Sequence, residues 1–146
     1  MYDETEILKV MQQHGRVAGH ARKLREIFTA VADEAWAANA VFSAVPNTSD
    51  FELTGFFGVI RAEFGFGRAA IDGVTRYVGQ YDFRVMGRND SATTIFSLVF
   101  PGTGELVGVE RMPSLGDIEV ERYPAAKRLL IGLMLQKWMD ALPTLD

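Results

Sequence analysis

Five charged residues in the middle of the chain have the types and spacing of an anion-binding or acid–base site. Arg61 lies two residues before Glu63, Asp82 lies two residues before Arg84, and Arg76 precedes that second pair. Residues two apart share one face of a strand, so each group should point to one side of a sheet. Arginine binds carboxylate or phosphate through paired hydrogen bonds, so Arg61, Arg76 and Arg84 are predicted to hold an anionic ligand.

The same charged set allows two other interpretations. Glu63 or Asp82 would serve as a general acid or base if it were buried enough to raise its pKa, which would make the protein a small enzyme. Cross-strand ion pairs on a solvent-facing sheet explain the same pattern without any chemistry. Both alternatives remain open from the sequence.

Aromatic residues occupy the opposite face of the same predicted strands. They suggest an aromatic-lined cavity for a small, mostly apolar ligand, although a plain hydrophobic core would have the same composition. The candidate wall consists of Phe56, Phe64, Phe66, Tyr77, Tyr81, Phe83, Phe96, Trp138 and Met134. The predicted ligand-binding residues are Phe64, Phe66, Tyr77, Tyr81, Arg61, Arg76, Arg84 and Trp138.

Metal and nucleophile chemistry has little support in the composition. The chain has no cysteine and two histidines, His14 and His20. Six helical residues rotate the side chain by about 600°, so these histidines should point in different directions and cannot share a metal. We therefore predict no metal and no cofactor. The run Arg22, Lys23 and Arg25 is the only local basic cluster, and it is typical of a solvated helix face.

The sheet that would position these residues is predicted from a period of two in the apolar pattern, which begins at residue 51. Strands are expected at 56–66, 74–86, 93–100 and 105–112, with a short edge strand at 117–121. Residues 68–73 suit either a loop or a short helical turn. The segments 87–91 and 101–104 read as turns, and connections this short require an antiparallel meander.

Two helical segments flank this sheet. Residues 7–42 carry apolar side chains at alternating spacings of three and four, which predicts a helical arm over residues 4–43. A helix of that length would run about 60 Å, whereas a domain of this size has a radius of gyration of about 15 Å. Either the helix breaks near Gly15 and Gly19, or its first turns project and pair with another subunit. A second helix at 124–142 is apolar on most sides and should pack on the sheet.

Length and charge limit the classes of protein. The 146 residues suit a single domain over 1–146, with the sheet within 51–121. A net charge of −4 gives no general attraction to nucleic acid or anionic lipid, so neither is predicted as a partner. The first residues lack the pattern of a secretory signal, and the longest apolar run, 129–135, is short for a membrane span, which favours the cytoplasm.

The combined prediction is an α+β fold with a helical arm, an antiparallel meander of four to five strands and a C-terminal helix on the sheet. We expect a non-catalytic homodimeric binding protein, with the dimer formed through Ile7, Val10, His14 and Val17. The alternatives are the small enzyme described above and a structural or regulatory interaction protein acting through the N-terminal helix.

Overall fold

A computed structural model describes residues 3–29, 41–46, 48–55, 58–87, 91–107 and 124–142. The described elements are α1 (Glu4–Thr29), β1 (Val41–Ala44), β2 (Phe51–Gly55), β3 (Gly58–Ile71), β4 (Val74–Met86), β5 (Ala92–Pro101) and α2 (Pro124–Asp140). The strands form one five-stranded antiparallel sheet in the order of the chain, β1 to β5. The predicted α+β class and meander are confirmed.

Helix α1 is continuous across both of its central glycines. It begins where a carboxylate oxygen of Asp3 accepts a hydrogen bond from the backbone N–H of Glu6 at 2.8 Å, which satisfies one of the free amides of the first turn. Its 26 residues span about 39 Å. Of the two alternatives left open by the sequence, a break near Gly15 and Gly19 is excluded, and the first turns are exposed. Pairing of these turns with another subunit stays a prediction.

The first turns of α1 leave the body of the protein, and the later turns pack on it. Four apolar side chains near the start of the helix are each more than half exposed: Ile7, Leu8, Val10 and Met11. From Val17 onward the side chains at the same helical spacing are fully buried against the sheet, as Leu24 and Phe28 show. The turns from Val17 onward therefore pack on the sheet, and the first turns extend beyond it.

The predicted extension of the helix to residue 43 is wrong at its end. Phe42 lies in β1, where it is the register partner of Leu53 and stacks on Phe51 with ring centroids 5.4 Å apart. An apolar residue of a strand can fall by chance at the helical spacing. The three-and-four spacing of the sequence therefore includes Phe42 although this residue lies in a strand. Residues 30–40, which the same prediction covers, lie outside the described part of the chain.

A tight turn joins the two longest strands. Asp72 and Gly73 both have positive φ angles, 53° and 79°, which is the conformation of a type I′ hairpin turn and one that an Asp-Gly pair adopts easily. Residues 68–73, for which the sequence allowed either a loop or a helical turn, are therefore mainly strand, because β3 extends to Ile71. Neither β2 nor β5 reaches the tip, since their pairing stops at Ala62 and Val78. We call residues 68–77 the distal hairpin.

The core lies between the sheet and the two helices. Gly79 lets α1 come close, because a Cβ atom at this position would lie 2.6 Å from Cγ1 of Val17. Helix α2 contributes Leu130, Ile131, Met134 and Trp138 to the same cluster of buried residues. It also contacts β5 and α1. The predicted packing of the C-terminal helix on the sheet is confirmed.

The predicted turn at 101–104 is present, and a hydrogen bond joins the two ends of the one predicted at 87–91, whose residues 88–90 lie outside the described part of the chain. The predicted later strands are also described only in part. The backbone N–H of Gly87 donates to the carbonyl of Ser91 at 2.6 Å, and that of Gly104 to Pro101 at 2.9 Å. Val107 forms a single antiparallel bridge with Val99 on β5. The remainder of the predicted strand at 105–112, and the one at 117–121, lie outside the described residues.

Candidate functional site

The predicted charged set assembles on the face of the sheet that points away from the helices. Glu63 lies directly opposite Asp82, and Arg61 lies opposite Arg84. Glu63 Oε2 is 3.5 Å from Arg84 Nη1, and Glu63 Oε1 is 3.7 Å from Arg61 Nε. The predicted sharing of one face by these four residues is thus observed.

Asp82 is held by polar neighbours. Its Oδ1 accepts hydrogen bonds of 2.6 Å from both Ser97 Oγ and Gln80 Nε2. Neither Gln80 nor Ser97 was predicted as a site residue. Gln80 lies two residues before Asp82, so the sequence alone places the two on one face of β4. Ser97 can be placed beside Asp82 only when the register between β4 and β5 is known.

This arrangement favours cross-strand ion pairs over acid–base chemistry. The Glu63 side chain is 40% exposed, so it lacks the burial that the catalytic interpretation required. Both carboxylates already have partners of opposite charge or hydrogen-bond donors. Exposed pairs of this kind contribute about 0–1 kcal/mol each, so the set has a modest structural role. A catalytic role for Glu63 or Asp82 stays a prediction.

Arg76 does not join this set. It lies opposite Ala69 in the distal hairpin, eight residues before Arg84, which is the register partner of Arg61. At about 3.3 Å per strand residue that is about 26 Å along β4. The predicted triad of Arg61, Arg76 and Arg84 therefore cannot hold one small anion, and Arg76 belongs to a different part of the surface.

The predicted aromatic wall is largely a packed core. Tyr81 and Phe83 have no exposed surface, Phe64 lies 5.2 Å from Tyr81 between ring centroids, and Phe96 stacks on Phe83 at 4.3 Å. Trp138 is buried in the same cluster. Of the predicted wall, Tyr77 alone lines one of the two cavities described below, and Phe56 lies outside the described residues.

Tyr81 illustrates why this region is rigid. Its O–H donates to the carbonyl of Ser49 at 2.6 Å and lies 3.2 Å from the carbonyl of Ala21, so it joins the sheet to α1. Burial raises the pKa of the Tyr81 hydroxyl well above its ordinary range. The charge of Arg25 opposes that increase, and the charge of Asp50 adds to it.

Tyr77 lies in the distal hairpin and Phe66 lies next to it, and both are close to His14. The His14 ring centroid is 4.4 Å from that of Phe66, and its Nδ1 is 2.9 Å from the Tyr77 hydroxyl. Desolvation raises the pKa of Tyr77. His14 thus contacts the sheet of its own chain. Val17 is fully buried in the core of its own chain. The predicted dimer through Ile7, Val10, His14 and Val17 stays a prediction.

A basic groove, which was not predicted as a site, follows the other flank of α1. Its first part is a cavity of about 610 Å³ lined by Arg16, Gly19, His20, Arg22, Lys23, Glu26, Gly102 and Thr103. Its second part, of about 410 Å³, is lined by Gln13, Arg16, Val74, Arg76, Tyr77, Pro101, Gly102 and Thr103. The two parts share Arg16, Gly102 and Thr103, and we refer to both together as the basic groove.

The turn after β5 forms one wall of this groove because it is attached to α1. The carbonyl oxygen of Gly102 lies 2.9 Å from His20 Nε2. A carbonyl only accepts, so Nε2 carries the proton, and the buried Nδ1 has no hydrogen-bond partner within the described ranges. Because Gly102 has no side chain, the turn can come close to α1. A Cβ atom at this position would collide with the Gln13 side chain.

The two histidines point to different places, as predicted. His14 contacts the distal hairpin, and His20 contacts the turn after β5. Within the described ranges, no three His, Asp or Glu side chains are grouped closely enough to hold a metal ion. None of the described helices is both long and apolar enough to cross a membrane.

Part of the basic groove had a signal in the sequence. Arg16, His20 and Lys23 are spaced by four and three, so they lie on one side of a helix. Their opposite wall, Gly102 and Thr103, lies about eighty residues away in the chain, and no local pattern connects the two. The groove is a consequence of tertiary structure.

Comparisons with family models, with curated proteins and with solved structures find no match to this chain. The fold defines an α+β protein with one antiparallel sheet, and its aromatic clusters are compatible with a binding protein. Function therefore has to be argued from the groove and the exposed surfaces themselves.

Proposed function

We propose that the protein binds a small anionic ligand, bearing phosphate or carboxylate groups, in the basic groove. One observation carries the proposal. Arg16, Arg22, Lys23 and Arg76 line two adjoining cavities that share the turn at Gly102, in a chain whose net charge is −4. Glu26 is the one carboxylate among the lining residues of either cavity.

The chemistry of the lining suits an anion. Guanidinium groups bind the oxygens of phosphate and carboxylate in pairs, and a lysine adds a point charge. Cavities of about 300–1,000 Å³ are typical of small-molecule sites, and both parts of the groove fall within that range. Because the groove is open to solvent, binding should weaken as ionic strength increases.

Titration with inorganic pyrophosphate and with citrate, followed by calorimetry and by NMR amide shifts, tests this proposal. The Arg22→Gln/Lys23→Gln double variant should bind about tenfold more weakly, since it removes two of the charges that line the larger cavity. Arg61→Gln/Arg84→Gln is the matched control, because it removes two cations from the outer face of the sheet.

Two results would contradict the anion-binding proposal. One is the absence of saturable binding of either anion up to about 10 mM, which is weaker than any useful site of this size. The other is an equal loss of affinity in the Arg61→Gln/Arg84→Gln control, which would mean that net charge alone attracts the anion.

An apolar ligand is the competing possibility that the aromatic residues raised. It would have to separate rings that already contact one another, such as Phe83 and Phe96. A fluorescent apolar probe distinguishes the two ligand classes. We expect no displaceable binding of the probe, and displaceable binding would favour an apolar site.

Self-association through the N-terminal turns of α1 is a second proposed function. Ile7, Leu8, Val10 and Met11 form one continuous arc of the helix, and each is more than half exposed. Exposed apolar surface concentrated on one element is typical of an interaction site. A second copy of the chain is the proposed partner, and the oligomeric state is the measurement that tests it.

A further inference from the structure

The distal hairpin has a free edge beside the smaller part of the basic groove. Strand β5 stops at Pro101, which lies opposite Val78, whereas β4 begins four residues earlier at Val74. Among the described residues β3 pairs with β4 on one side over that stretch, and no strand lies against β4 on the other side.

The register shows which backbone groups point to this edge. Ile71 and Val74 close a two-residue loop, and such a closing pair exchanges hydrogen bonds. Pairs alternate along an antiparallel ladder, so the N–H and C=O groups of Arg76 face β3. Those of Thr75 and Tyr77 face the other way, toward the side where β5 has ended.

Cations lie on both sides of the same edge. The cavity of about 410 Å³ is lined by Arg76, which projects from the outer face of the sheet, and by Arg16 of α1, which covers the opposite face. Gln13 and Thr103 add neutral polar groups to the lining. The edge therefore combines positive charge above and below the sheet with backbone groups that pair with no described residue.

We propose that this edge binds an extended segment of an acidic partner peptide, which adds to β4 as a short strand and carries two consecutive acidic residues. Successive side chains of a strand point to opposite faces. An acidic residue opposite Arg76 would face that guanidinium, and its neighbour in sequence would point toward Arg16. Backbone pairing supplies affinity in this mode of recognition, and the side chains supply specificity.

The peptide proposal goes beyond the small-anion proposal. The two share Arg16 and the turn at Gly102, but the free edge at Thr75 and Tyr77 is an independent observation. Arg22 lines only the larger cavity and Arg76 only the smaller one. Variants at these two positions therefore separate the failure of one proposal from the failure of the other.

Fluorescence anisotropy with a labelled, N-acetylated and C-amidated hexapeptide, Thr-Val-Glu-Glu-Val-Thr, tests the peptide proposal on the full chain. A second peptide replaces both glutamates by glutamine. A third, Thr-Glu-Val-Glu-Val-Thr, keeps the charge but places both acidic side chains on one face. We expect the first peptide to bind about tenfold more tightly than the second and about threefold more tightly than the third.

Variants of the protein locate the site. Arg76→Gln should weaken binding of the first peptide about tenfold and leave binding of the glutamine peptide nearly unchanged. Thr75→Pro removes one N–H from the free edge, where proline is tolerated, and should weaken all three peptides about threefold to tenfold. Arg22→Gln is the control and should leave peptide binding unchanged while it reduces pyrophosphate binding.

Equal affinity for the first two peptides would overturn the proposal, because it would show that the acidic pair is not recognised. Unchanged affinity in Arg76→Gln would overturn it as well, since the peptide would then bind elsewhere. If Thr75→Pro did not fold, the amide shifts of Thr75 and Tyr77 on titration would replace it, and absent shifts there would contradict strand addition.

Discussion

At the scale of single residues, Gly79 sets the distance between α1 and the sheet. A Cβ atom there would lie 2.6 Å from Val17 Cγ1 and 2.8 Å from ring carbons of Phe64 and Phe100. Gly79→Ala should therefore lower the free energy of unfolding by about 1–3 kcal/mol through overpacking, as measured by urea denaturation. Gly65→Ala is the control, because nothing lies within 4 Å of that Cβ position. Equal effects of the two variants would show that α1 adjusts without cost.

Tyr81 gives a prediction that depends on pH. Burial raises the pKa of its hydroxyl in the folded protein, whereas an unfolded tyrosine ionises at about pH 10. Above that pH the unfolded state has lost the proton that the folded state keeps, so stability falls as pH rises. The loss attributable to this residue should approach about 1.4 kcal/mol per pH unit, and it is absent below pH 10.

Comparison with Tyr81→Phe isolates this effect. The variant loses the hydrogen bond to Ser49, at a cost of about 1–2 kcal/mol at neutral pH, but it has no hydroxyl to ionise. The stability difference between the two proteins should therefore narrow between about pH 10 and pH 11, measured by urea denaturation. A constant difference across that range would contradict the assignment. Tyr77, whose pKa is also raised, is present in both proteins and cancels.

At the scale of elements, the continuity of α1 through its glycines predicts a gain in stability. Gly15 is exposed, has a negative φ angle within the helix, and has no neighbouring atom within 4 Å of where a Cβ would lie. Gly15→Ala should raise the free energy of unfolding by about 1 kcal/mol, because alanine loses less backbone entropy in a helix. Thermal unfolding followed by circular dichroism measures this. A loss of stability instead would indicate that the helix bends at Gly15 when folded.

The strand faces were predictable from the sequence because alternation is a local property. Alternation alone places Tyr81 and Phe83 on one side of the sheet. It places Asp82 and Arg84 on the opposite side. The tight turn at Asp72 was missed, because the apolar residues before it are small and resemble a helical segment. Its Asp-Gly sequence was the signal that should have placed it.

The features that could not be predicted are those that join distant segments. The basic groove needs the turn at Gly102 to meet His20, and the free edge of β4 needs β5 to end at Pro101. No local sequence pattern determines the register of β5 or the path of α1 over the sheet. The separation of Arg76 from Arg84 also needed the pairing of β3 and β4, which sets their distance along the strand.

At the scale of the whole molecule, α1 separates two surfaces of different character. Met11 and Arg16 are five residues apart, which is about 140° around the helix. The apolar arc around Met11 therefore points away from the basic groove that Arg16 lines. A second copy of the chain attached to the arc would leave the groove open, so self-association and ligand binding are compatible.

This separation leads to a prediction on the oligomeric state. Met11 is 64% exposed on the projecting turns, and Met139 is 54% exposed on α2. Sedimentation equilibrium should show a dimer for the natural protein and for Met139→Glu, whereas Met11→Glu should be monomeric. A buried charge without a partner disrupts an apolar interface but is harmless on an exposed helix face. Pyrophosphate affinity should stay the same in all three proteins, because the groove lies on the other flank of α1. A monomeric natural protein, or equal dissociation by both variants, would contradict an interface at the N-terminal turns.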